Sequence, residues 1–133
     1  MDYSGPTRTY RGQTTRAVTR GKWYYEAEIL TSGFIRIGWA KKSAPPDLII
    51  GSNSSSYAFA AHQARKWNRN GSVYGTICRP GDVVGCMMDL VDKTISFSLN
   101  GELMMDPLGL EIAFKHIKVE EGKSSVFLYA FSL

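Results

Sequence analysis

Between Gly81 and Asp106 the alternation of apolar and polar side chains spells out two strands and a tight hairpin. Along 94–99, Ile95, Phe97 and Leu99 point one way and Thr94, Ser96 and Ser98 the other. That period of two marks a strand with one face in the core and one in water. Asn100-Gly101 comes next, a pair that readily takes positive φ at both central positions of a two-residue turn, so 102–105 is predicted to return antiparallel. Upstream, 82–90 is apolar on both faces, as a central strand is, and Val91-Asp92-Lys93 makes the turn between the two.

The same pattern recurs earlier. Trp23, Tyr25, Ala27 and Ile29 share one face of a strand whose other face carries Tyr24, Glu26 and Glu28. After a turn at Thr31-Ser32-Gly33, Ile35, Ile37 and Trp39 lie opposite Arg36, and the two runs are predicted to form a second hairpin. From Lys41 to Ser56 the chemistry becomes that of a loop, with Pro45-Pro46, Gly51 and the serine run Ser54-Ser55-Ser56. Residues 57–60 read as a short strand, and 62–75 as a strand and an exposed turn. Helical periodicity is weak throughout; its best stretch, Leu110 to Ile117, is too short to dominate. Short strands with turn signals roughly every 8 to 12 residues predict an all-β fold, a sandwich of two antiparallel sheets, with a barrel as the alternative.

A length of 133 residues suits one domain, and 44% apolar with 21% charged residues is ordinary for a folded protein. No apolar run reaches the roughly 18 residues of a membrane-spanning helix. The start lacks the apolar core of a secretory signal, so this piece is expected in water, on the cytosolic side. Cys78 and Cys86 have neither metal-ligand nor redox spacing and are expected to be buried, reduced thiols. The net charge of +4, without a long basic run, argues against nucleic acid as a partner.

Candidate chemistry is sparse. Asp89 and Asp92 flank a turn, where aspartate caps backbone amides, instead of forming an acid and base pair. Asp82, Asp89, Asp92 and Asp106 lack the spacing of a calcium loop. His62 and His116 are the only histidines, no nucleophile has a base beside it, and no phosphate-binding glycine loop is present. The expectation is a protein with no catalytic residue, cofactor or metal. Asn53-Ser54-Ser55 and Asn70-Gly71-Ser72 match the glycosylation pattern by chance, and Arg69 places Ser72 in a basic-kinase context on an expected loop, a candidate for phosphorylation. Trp67, set among Arg65, Lys66 and Arg69, either plugs one end of the sandwich or meets a partner.

Five blocks in order resemble SPRY domains: Gly21-Lys22-Trp23-Tyr24-Tyr25-Glu26, Ile35-Arg36-Ile37-Gly38-Trp39-Ala40, Ser56-Tyr57-Ala58-Phe59, Gly81-Asp82-Val83-Val84-Gly85-Cys86, and Ile95 to Gly101. The resemblance implies a bent two-sheet antiparallel β-sandwich with little helix, no catalysis, and loops on one side that bind proteins. It implies a single domain over 1–133, with 1–20 as an N-terminal strand or extension and 21–133 as the core. The chain stops short of the family's closing strand, unless a strand near Thr9-Tyr10-Arg11 completes that sheet.

Within the family, the run from Asp89 to Asp106, with Leu108-Gly109, Glu111 and Ala113-Phe114, is similar to the second SPRY repeat of ryanodine receptors, the tetrameric calcium-release channels. That likeness implies an interaction module on the cytoplasmic side of the endoplasmic or sarcoplasmic reticulum. It would contact other domains of its own chain or a neighbouring subunit, not the membrane, and help transmit gating. Ala60-Ala61 departs from the family pattern, and 62–70 is equally similar to SPRY domains of ubiquitin-ligase proteins, so the alternative is a substrate-recruiting module. Either way the expected partner-binding residues are Lys41, Lys42, Pro45, Pro46 and Asp47 on one loop and Arg65, Lys66, Trp67, Asn68 and Arg69 on another, joined by the turn at 31–33.

Overall fold

A computed structural model describes residues 8–12, 20–118 and 127–133. Their eleven strands are β1 (Thr9–Arg11), β2 (Lys22–Glu28), β3 (Arg36–Lys41), β4 (Ser56–Ala60), β5 (Arg65–Asn68), β6 (Asn70–Val73), β7 (Val83–Asp89), β8 (Thr94–Leu99), β9 (Glu102–Leu103), β10 (Ile112–Phe114) and β11 (Phe127–Ser132). One antiparallel sheet runs β1-β11-β3-β4-β5-β6, the other β10-β8-β7-β2 with β9 beside β8, and the described residues contain no helix. The expected sandwich is the observed one.

Between the sheets the inward rows interdigitate: Ile37, Trp39, Phe59 and Phe127 from one side, Val84, Cys86, Met88, Ile95 and Phe97 from the other. The predicted turn forms, with Asn100 at φ 50° and Gly101 at φ 88°, pairing Leu99 with Glu102. Its return strand spans only Glu102–Leu103; the Met104 amide still donates to Phe97 O of β8, and the next carbonyl, Met105 O, accepts instead from the Gly75 amide. β7 is central, as predicted, between β2 and β8. The N-terminal strand also forms and pairs Thr9 with Ser132 on β11.

One expectation is corrected. Residues 23–30 and 34–40 do not make a hairpin: β2 pairs with β7, while β3 pairs with β4 and β11. Alternation shows that each strand buries one face, not which neighbour it bonds to. Here the two face each other across the core, Tyr25 meeting Trp39 edge-on at 5.2 Å and donating its hydroxyl to Gly38 O at 2.6 Å. Trp23, on the same strand face as Tyr25, is 46% exposed near the start of an edge strand, its Nε1 donating to Arg20 O. The best helical stretch, 110–117, contains strand β10.

The loop from 42 to 55 is also less free than its composition suggests. It covers the outer face of the six-stranded sheet, where Ala40, Ala58 and Ala130 leave room for Ala44 and Ile50 to form a second buried cluster. Ser132 Oγ accepts from the Ile50 amide at 3.0 Å, Thr9 Oγ1 donates to Leu48 O at 2.7 Å, and the Arg11 guanidinium donates to Ala44 O. Lys42, Pro45, Pro46 and Asp47 remain exposed, while Lys41 is the half-buried end of β3.

Candidate partner-binding surface

Two of the segments singled out in the sequence, the 41–54 loop and the 65–71 stretch, meet on the outer face of the six-stranded sheet, where Arg36 touches both. Its guanidinium carbon stands 4.3 Å from the Trp67 ring centre and 5.5 Å from that of Phe34, while Nη1 donates to Ile50 O at 3.2 Å. Sequence reading placed Arg36 opposite the core and gave it no role. The available signal was a lone cation between Ile35 and Ile37. Burial lowers its pKa, yet a guanidinium keeps its charge at neutral pH.

The stretch Arg65–Gly71 is a hairpin, not a loop. Arg65, Lys66, Trp67 and Asn68 are strand residues, and Arg69 at φ 68° is the turn. The Arg69 amide donates to Gly51 O at 3.0 Å, and Asn68 Nδ2 donates to Ser56 O at 2.8 Å, so the hairpin is tied to the covering loop. Asn68 is therefore a tie within the fold and not a free recognition group. Trp67 is half-buried against the second cluster and lies over two glycines; a Cβ on Gly71 would stand 2.6 Å from the indole. Trp67 does not plug an end of the sandwich; it packs on the outer face of the sheet, with Arg36 covering the ring. Ser72 is exposed, but on strand β6.

Lys66 belongs to the opposite face. It pairs across the sheet with Phe59, a core residue, and its Nζ donates to Ala113 O at 2.8 Å, linking the two sheets. The alternation along β5 sends Arg65 and Trp67 outward and Lys66 inward, so a run of cations in sequence is split between faces in space. Arg65 Nη2 donates to Gly71 O at 2.9 Å, and its guanidinium carbon lies 5.8 Å from the Trp67 ring centre.

Beside this cluster the His62 ring lies 4.9 Å from Phe34, and its Nδ1 accepts from the Ile35 amide at 3.3 Å. Burial, and less strongly the Arg36 charge, lowers its pKa below 6.5, although Nδ1 also lies 3.3 Å from Ile35 O, to which the protonated ring would donate. The unfolded chain then binds this proton more readily, so stability is complete above about pH 6.5 and declines as pH falls through that value. Urea unfolding at about pH 7.5 and 5.5 should show the lower stability at the acid value, with a smaller difference in His62→Gln. An unchanged difference in that variant would assign the effect to other groups.

The remaining polar groups are occupied by turns. Asp82 accepts from the Arg79 amide at 2.8 Å, Asp89 from the amides of Val91 and Asp92, and Asp106 from those of Leu108 and Leu110. Those backbone bonds lower the pKa of Asp82 and Asp89. Among the described residues no three metal-ligating groups converge. Cys78 and Cys86 are free; burial, helped by Asp82, pushes the Cys78 thiol up to about 11, and burial pushes Cys86 higher still. Neither is a thiolate at neutral pH. A groove of about 360 Å³ also opens on the outer face of the five-stranded sheet, lined by Trp23, Tyr24, Met87, Asp89 and Leu103.

The SPRY domain family matches residues 22–131. An E3 ubiquitin-protein ligase of Arabidopsis thaliana is 38% identical over 86 residues, 63% of this chain and 7% of that protein. ATP-dependent RNA helicases of Drosophila melanogaster and Xenopus laevis are 34% and 32% identical over 89 and 90 residues, 67% and 68% of this chain and 12% of each helicase. The chain thus matches a small part of each relative. None of these three is a calcium channel, so they lend no support to the finer likeness to ryanodine receptors. The match over 22–131, on two sheets that carry all five sequence blocks, shows that this chain belongs to the SPRY domain family.

Proposed function

We propose that this chain is a noncatalytic recognition module that recruits a partner protein through the surface around Arg36, Trp67 and the 65–73 hairpin. The observation that carries this reading is that the 42–55 loop, through Ile50, and the 65–73 hairpin, through Trp67, meet on the Arg36 guanidinium, beside its near neighbour Phe34. As parent context we favour substrate recruitment in a ubiquitin-ligase-type protein, supported by the 38% identity to the plant ligase. A part in channel gating has less behind it. The run that resembles the receptors lies in β7, β8, β9 and their turns, where Asp89 caps a turn, Ile95 and Phe97 fill the core and Asn100-Gly101 turns the hairpin. Those residues are what the fold itself requires.

Selection of a randomised displayed peptide library against the domain tests the reading. Enriched peptides are expected, and Arg36→Ala should weaken them about tenfold, the scale of a central interface residue. Trp67→Ala should cost about 2 kcal/mol of stability, as a half-buried aromatic does, without unfolding the domain. No enriched peptide, or equal binding by Arg36→Ala, would refute the proposed surface.

A further inference from the structure

Charge divides unequally between the two sheets. Among the described residues Asp47 is the only acidic side chain on the six-stranded sheet and its connecting loops, which carry Arg11, Arg36, Lys42, Arg65 and Arg69 on their outer side. The one ion pair among the described residues, Lys22 with Asp89 at 3.8 Å, lies on the other sheet. Among the described residues the cations of this face therefore have no carboxylate partner.

The same face ends at β6, the last strand of its sheet. Proteins protect such edges with lysine, proline or a bulge, and β6 reads Asn70-Gly71-Ser72-Val73, with Val73 52% exposed. Gly71 has no side chain, so the Trp67 ring and the Arg65 guanidinium lie across β6 toward the open edge. Arg69 stands exposed at the turn beside it.

Building on the recognition reading, we propose that β6 takes an extended acidic segment of the partner protein as an added strand. Backbone bonds to β6 supply affinity, while carboxylates on Arg65 and Arg69 and an apolar side chain against Val73 supply selectivity. RNA is the other polyanion for a basic face. Strand binding by RNA uses open aromatic faces for base stacking, and here Arg36 stands over the Trp67 ring while Gly51 and Gly71 back it.

The test uses an alternating valine–aspartate peptide, its valine–lysine counterpart, an N-methylated valine–aspartate peptide with the same charges but fewer backbone donors, and a single-stranded uridine oligomer. The valine–aspartate peptide should bind and the lysine peptide should not. N-methylation and Arg65→Glu should each weaken binding about tenfold, with Arg69→Glu as the second variant should Arg65→Glu melt early. Indifference to N-methylation or to charge reversal, or tighter binding of the uridine oligomer, overturns the proposal. Library-selected peptides that bind Arg65→Glu normally and tolerate N-methylation would overturn the β6 edge and leave the recognition surface standing. Absence of any selected peptide would overturn both.

Discussion

Phe97→Ala is expected to cost about 3 to 5 kcal/mol, a large part of the 5 to 15 kcal/mol that holds an ordinary domain together. The ring is fully buried on β8, 5.7 Å from Phe59 of the facing sheet and 6.1 Å from Tyr74. Its removal loses the transfer energy of a buried aromatic and leaves a cavity between two sheets that cannot close without shifting their backbones. Tyr74 suffers as well: its hydroxyl, which donates to Glu111 O at 2.7 Å, sits beside the Phe97 amide. Urea unfolding measures the effect through a lower midpoint at unchanged slope. A loss below about 1 kcal/mol would mean that the inward row of β8 has been wrongly assigned.

Gly38→Ala should be nearly as damaging for the opposite reason. A Cβ at Gly38 would stand 1.8 Å from Tyr57 O and 3.0 Å from Ala58 Cα, all backbone of the neighbouring strand. No rotamer relieves that contact, so β3 and β4 must separate, at a cost of about 3 kcal/mol, the upper end of overpacking penalties. The separation would also disturb Gly38 O, which accepts the Tyr25 hydroxyl across the core. Thermal melting should show a clear fall, with a smaller one for Gly101→Val, where no atom lies within 4 Å but φ is +88°. Equal melting of Gly38→Ala and the parent would contradict the close approach of the two strands.

Local features were legible in the sequence, and long-range partnerships were not. Asn100-Gly101 determines its turn through the backbone freedom of two residues, and Ile95 and Phe97 declare their face through alternation with polar neighbours. Nothing local tells β2 to bond to β7 while facing β3, or that the strand face shared by Trp23 and Tyr25 is open to solvent at its Trp23 end. The hidden third layer had a signal that went unread. Ala58 and Ala60 alternate with Tyr57 and Phe59 along β4, an outer row of small residues that leaves space for Ile50. The 41–54 loop and the 65–71 stretch were named from the sequence, but Arg36, which touches both, was missed. Lys66 was counted with its sequence neighbours although alternation already sent it to the other face.

The central claim is that recognition takes place on the outer face of the six-stranded sheet. Amide chemical-shift mapping with a library-selected peptide tests it directly. The account expects the largest shifts at Arg36, Gly51 and residues 65–73, with the five-stranded sheet unmoved. Shifts concentrated instead at Trp23, Tyr24, Met87 and Leu103, along the groove of the other sheet, would contradict it.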